Sequence, residues 1–99
     1  MRVISRKKLL AFANRYPDSG KALYAWFRLA KSAEWKNFSE VRKTYNSADI
    51  AGSFTVFNIK GNHYRLITDI QYERQTIFIK YVLTHKEYDQ NDWKRDPYY

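Results

Sequence analysis

The chain has no cysteine. That excludes disulfides, thiolate nucleophiles and thiolate metal sites, and it fits a reducing cytoplasm. Two prolines and three glycines in 99 residues are too few for a disordered or low-complexity segment. No apolar run approaches the ~20 residues that cross a bilayer. The opening MRVISRKKLL is basic, but it lacks a long apolar stretch and a small-residue cleavage site, so it does not read as a signal peptide. There is no Gly-rich phosphate loop and no nucleophile elbow. Two histidines are few for a metal centre, and Asp69, Glu87 and Asp89 are scattered. No carboxylate pair suggests a glycosidase. The expectation is one cytoplasmic domain over residues 1–99, with 90–99 as a C-terminal tail and no membrane, metal or cofactor.

What the chain does have is aromatics and positive charge. Nine Tyr, six Phe and three Trp supply a core and leave rings over for the surface. The net charge of +8 is unevenly placed. Residues 1–45 carry eleven Lys and Arg against three Asp and Glu; residues 46–99 carry seven against seven. A basic half on a small domain suits a polyanion, most simply nucleic acid. An acidic protein partner fits the same charge, and so does a merely solubilising surface.

The first half has helical spacing. Val3-Ile4 suggests a short strand, and Ser5 a cap for a helix reaching Tyr16, where Pro17-Asp18-Ser19-Gly20 stops it. A second helix is expected over 21–33, with Ala22, Trp26, Leu29 and Ala33 facing the core. A short helix follows Ser39. The second half changes period. FTVFNIK, NHYRLITDIQY and TIFIKYVL read as three strands of an antiparallel sheet, so the fold class is α+β with the helices packed on that sheet. Gly61-Asn62 suits a two-residue hairpin turn, pairing Lys60 with His63 and Asn58 with Arg65. The next turn, Tyr72 to Gln75, then sets Arg65 opposite Val82 and His63 opposite Thr84; a bulge at Glu73-Arg74 would shift that register.

Alternation sorts these strands into two faces. Phe57, Ile59, Tyr64, Leu66, Ile70, Ile77, Ile79, Tyr81 and Leu83 form a packing face. Asn58, Lys60, His63, Arg65, Asp69, Lys80 and Thr84 form the other, which is too polar to be core. The segment THKEYD, residues 84–89, arrives at the edge where Lys60, His63 and Arg65 gather. Cations hold a phosphate or its transition state, histidine exchanges a proton near neutral pH, and a tyrosine hydroxyl can do so when cations lower its pKa. That set suits RNA cleavage without a metal, because the RNA supplies its own 2′-hydroxyl nucleophile. The plainer readings are that His63 is exposed polarity at a turn, His85 a strand-end hydrogen bonder, and Tyr88 packing for the C-terminus. Arg65 is costlier as filler in a central strand unless Asp69 or Asp89 pairs with it.

These segments also carry a resemblance. MRVISRKKLL, WFRLAKSAEWKNFSEVRKTYNSADI and FNIKGNHYRLITDIQYERQTIFIKYVLTHKEYD resemble the HigB-type toxins of the RelE/ParE superfamily, from bacterial toxin–antitoxin modules. The resemblance implies the RelE-like α+β toxin fold and mRNA endonuclease activity, usually on the ribosome. It also implies neutralisation by a HigA-type helix-turn-helix antitoxin, with operator DNA met only through that antitoxin. It would place catalytic roles on Lys60, Arg65, His85 and Tyr88. RNA contacts would fall on His63, Lys80 and Lys86, with Arg6, Lys7, Lys8, Arg28 and Lys31 of the helices set against ribosomal RNA. One branch of the superfamily poisons gyrase instead. The alternatives are therefore a protein-targeting poison and a non-catalytic RNA- or ribosome-binding inhibitor.

Overall fold

A computed structural model describes all residues, Met1–Tyr99. Strand β1 (Arg2–Ile4) leads into helix α1 (Arg6–Arg15). Ser5 stands at the N-cap position, but its side chain makes no capping hydrogen bond. The helix ends before Pro17, because the residue preceding a proline is pushed out of the helical region; Tyr16 has φ −125° and ψ 80°. A 3-10 turn (Pro17–Ser19) follows, closed by the Ser19 hydroxyl donating to the Tyr16 carbonyl at 2.7 Å. Helix α2 (Gly20–Ser32) buries Leu23, Trp26 and Ala30. The expected stripe was set one position off. Leu29 is 40 % exposed, because the bulkier Leu23 turns inward with Trp26, leaving Ala22 and Ala33 at the core's margin. Helix α3 (Phe38–Thr44) is capped by Asn37, whose side chain accepts from the Glu40 N–H at 3.0 Å.

Four strands follow: β2 (Asp49–Ala51), β3 (Phe54–Ile59), β4 (Tyr64–Gln71) and β5 (Thr76–Thr84). The sheet order is β1-β5-β4-β3-β2. The fold is α+β, as expected. The sheet is mixed rather than wholly antiparallel, because β1 pairs parallel with β5. Asn58 faces Arg65 as the hairpin spacing requires, and the ladder ends at Ile59 and Tyr64. Lys60 and Gly61 both have positive φ, 52° and 63°, and the His63 N–H donates to the Lys60 carbonyl at 3.2 Å. The turn thus occupies Lys60 to His63, and its left-handed residues are Lys60 and Gly61.

The β4–β5 register holds near the Tyr72–Gln75 turn, with Ile70 opposite Ile77. It then slips by one, because Ile67 faces Tyr81 while Thr68 faces Ile79. Lys80 is the extra residue of a β-bulge. Arg65 therefore faces Leu83, not Val82, and Thr84 faces Tyr64, not His63. The Lys8 ammonium donates to the carbonyls of Ile79 and Lys80, at 3.3 and 3.4 Å, and braces the bulge from α1.

A bulge reverses alternation beyond it. Val82 packs against the main core, beneath the helices, with Phe57, Ile59, Leu66, Ile70, Ile77 and Ile79. Tyr81 and Leu83, expected on that face, lie on the other. That second face is not uniformly polar. Phe54, Val56 and Ile67 form a smaller buried cluster there, closed by Trp93. Trp93 belongs to a second 3-10 turn (Asp92–Arg95), after the short helix α4 (His85–Asp89). Residues 90–99, expected as a tail, instead fold back over the sheet. Tyr99 meets Phe54 and Trp93 edge-on at 5.9 and 5.6 Å. It seats so closely on Gly52 that a Cβ there would lie 2.9 Å from it.

Candidate active site

The candidate site lies where β4 begins, β5 ends and α4 starts. The segment THKE is a capping box. Thr84 Oγ1 accepts from the Glu87 N–H at 3.2 Å, and Glu87 Oε1 accepts from the Thr84 N–H at 2.9 Å. These reciprocal bonds satisfy two amide hydrogens that the helix would leave unpaired. They start α4 at His85 and turn the chain off the sheet. The His85 N–H donates to the His63 carbonyl at 3.1 Å, so the β3–β4 turn and the start of α4 are joined by backbone.

Arg65 is half-buried on β4. Its Nη1 donates to the carbonyls of Asn62 and Tyr64 at 2.9 and 3.3 Å. Both contacts use Nη1, which leaves the Nε and Nη2 edge of the fork for a planar anion. The guanidinium lies 5.1 Å from the centre of the Tyr88 ring. None of the chain's ion pairs includes Arg65. Asp69 instead accepts from Gln71 at 2.9 Å, and Asp89 is taken by His85. The plainer account of Arg65, a structural ion pair, is therefore absent.

His85 and Asp89 are four apart on α4. Nδ1 of His85 lies 2.9 Å from Asp89 Oδ2, and both side chains are more than half exposed. A carboxylate on Nδ1 orients the ring and favours the tautomer with its proton there, leaving Nε2 as the proton-accepting nitrogen. His63 uses its own Nδ1 to donate to the Lys60 carbonyl at 2.9 Å, inside the turn. Lys86 is exposed on α4.

Two expected members stand elsewhere. The Lys60 ammonium pairs with Asp18 at 2.9 Å. Its side chain thus reaches the 3-10 turn between α1 and α2. The same carboxylate accepts from the Tyr64 hydroxyl at 2.6 Å. Those bonds, from Tyr64 first and Lys60 second, hold Asp18 below the usual carboxylate range. In return the Tyr64 phenol is pushed up to about 12. Lys80 pairs with Asp96 at 3.3 Å beneath the C-terminal segment. Asp96 also accepts from Tyr81 at 2.7 Å, which lowers the Asp96 pKa and raises that of Tyr81.

The cations of α1 and α2 lie on the opposite layer from Arg65. Arg6 and Lys31 flank the Phe27 ring at 4.7 and 6.0 Å, and Arg28 lies 5.9 Å from the Tyr24 ring. Lys7 is exposed, whereas Lys8 is spent on the bulge. Two neighbours of the site were missed. Asp89 was legible from its four-residue spacing to His85. Trp93 had no sequence signal beyond being a tryptophan in a polar segment.

A family described as the HigB toxin, a RelE-like toxic component of a toxin-antitoxin system, matches residues 19–91. A protein of Escherichia coli strain CFT073 named mRNA interferase HigB is 27 % identical, covering 90 % of this chain and 89 % of its own length. A second Escherichia coli protein, named mRNA interferase toxin HigB, is 30 % identical over 90 % of this chain and 88 % of its own. A Shigella flexneri mRNA interferase HigB has the same identity and coverage.

Proposed function

Because the chain belongs to the HigB family of RelE-like toxins, the toxic components of toxin–antitoxin systems, we propose that it is an mRNA endoribonuclease. It acts in the cytosol on ribosome-bound message and is held inactive by a HigA-type antitoxin, through which alone it reaches operator DNA. The observation that carries this reading is Arg65. It is a half-buried guanidinium with no carboxylate, set over Tyr88 beside the His85–Asp89 pair. The interferase names of the relatives support the same reading.

In this reaction the RNA 2′-hydroxyl attacks the adjacent phosphorus. His85 Nε2, or the Tyr88 oxygen in its phenolate form, takes the hydroxyl proton as the P–O5′ bond breaks. The departing 5′-oxygen receives a proton from the other group or from water. The products are a 2′,3′-cyclic phosphate and a 5′-hydroxyl, with no metal in the balance. Arg65 holds the phosphate and the charge that builds on its oxygens. Lys86 and His63 flank the RNA. Lys60 and Lys80 contribute through their ion pairs with Asp18 and Asp96, as local structure. Lys7, Arg28 and Lys31 form a separate basic surface for ribosomal RNA.

The test is cleavage of a defined message by purified protein, with and without programmed ribosomes, mapped at nucleotide resolution. Cleavage that requires the ribosome and leaves cyclic or 3′-phosphate ends fits the proposal. Inhibition of translation with intact message would point to a non-catalytic blocker.

A further inference from the structure

Helix α4 has five residues and buries none of them. A helix this short does not hold itself together in water, and its capping box fixes only the first turn. Yet it carries His85 and Tyr88. The C-terminal segment supplies what is missing. Trp93 is 4 % exposed and packed on Phe54, Val56 and Ile67. Its ring lies 5.2 Å from that of Tyr88 with only 14° between planes, and its Nε1–H donates to the Tyr88 carbonyl at 3.0 Å. Tyr88 in turn meets the Arg65 guanidinium at 5.1 Å. Arg65, Tyr88 and Trp93 thus make one continuous stack whose far end is anchored in the second core. Asp96 fastens the following residues through Tyr81 and Lys80.

We propose that Trp93 is a positioning residue of the active site, clamping Tyr88 in place under Arg65 from a segment outside the matched family region. The proposal rests on the reading that Arg65 and Tyr88 belong to the active site. A ring free to turn at α4 would leave the Tyr88 hydroxyl and the guanidinium unfixed relative to each other. Misplacement by about 1 Å can cost on the order of 10²-fold in rate. Binding of RNA through flanking cations would not need the clamp.

The test compares Trp93→Phe, Trp93→Leu and Trp93→Ala in the full chain, with ribosome-programmed message as substrate. Trp93→Phe keeps a ring to stack and should stay within about 3-fold of wild type in kcat. Trp93→Leu keeps apolar volume without a ring and should lose roughly 10- to 100-fold in kcat, with KM within about 3-fold. Trp93→Ala should behave as Trp93→Leu; if it does not fold, Trp93→Leu decides. In NMR spectra, Trp93→Leu should abolish the ring-current shifts of the Tyr88 ring and Arg65 side-chain protons while amides of the sheet stay in place. Wild-type kcat in a folded Trp93→Leu protein, or unmoved Tyr88 and Arg65 resonances, would overturn the proposal. Failure of the underlying reading looks different: Arg65→Ala and Tyr88→Phe would both cleave at the wild-type rate while the ring stack between positions 88 and 93 is still seen in the spectra of both variants.

Discussion

Arg65 and Tyr88, twenty-three positions apart, meet face to cation at 5.1 Å, and no carboxylate of the chain competes for the guanidinium. A cation over a ring is worth about 0.5 to 2 kcal/mol, depending on how far water is excluded. That is enough to orient Arg65 but too little to satisfy its charge, which is the state a phosphate-binding arginine needs.

Arg65→Ala is therefore expected to lower cleavage on the order of 10²-fold or more while the protein stays folded. Arg65→Lys should rescue only part, since an ammonium lacks the planar fork. Single-turnover cleavage beside a thermal unfolding curve checks this. Equal rates for Arg65→Ala and wild type would remove the residue from the mechanism.

The His85–Asp89 pair leads to a second expectation. A general acid or base contributes typically ~10² to 10⁴ in rate. His85→Gln and Tyr88→Phe should each lose activity within that range. Asp89→Asn should lose less, because it leaves the imidazole in place but releases its orientation. Ribosome binding, read by sedimentation, should be close to unchanged in all three. Product ends bearing 3′-hydroxyl and 5′-phosphate would instead indicate an attacking water.

Thr84→Ala removes the acceptor that starts α4. Loss of a side-chain cap costs about 0.5 to 2 kcal/mol. Because the frayed turn carries His85, the rate should fall along with stability, whereas Thr84→Ser should restore both. Chemical denaturation and cleavage assays on the same preparations test the link.

The Asp18–Tyr64–Lys60 cluster predicts how stability depends on pH. Asp18 has a folded-state pKa below 3.8. Between that value and 3.8 the unfolded chain binds the proton more tightly, so stability is full above about pH 4 and falls as acid protonates Asp18 in the folded state. Tyr64 runs the other way: its folded value is about 12 against 10.0 unfolded. Its contribution is intact below pH 10 and is lost as pH rises toward 12. Asp18→Asn should shrink both limbs of a melting-temperature profile, while Tyr64→Phe should shrink the alkaline one and weaken the acid one, the Asp96–Tyr81 pair supplying what remains. Unchanged profiles would show that the cluster does not couple to folding.

The sequence by itself determined most of the elements, though not β2 (Asp49–Ala51), and part of their pairing. Period-2 and period-3.6 patterns and the Pro17 and Gly61 breaks set the α+β class and the Asn58–Arg65 pair, because these are local properties of neighbouring residues. THKE could have been read as a capping box and His85–Asp89 as a helical pair on the same grounds. Only the tertiary structure decided the rest. The bulge at Lys80 is braced by Lys8 reaching the carbonyls of Ile79 and Lys80, over seventy positions away in sequence, and no pattern within β5 announces it. That one extra residue turned Tyr81 and Leu83 to the second face, where they pack with Phe54, Val56, Ile67 and Trp93. Likewise Lys60 and Lys80 looked like free cations in the sequence, and folding gave them Asp18 and Asp96. Which charges find a carboxylate is settled by contacts between distant segments, and beside Tyr88 that left Arg65 without one.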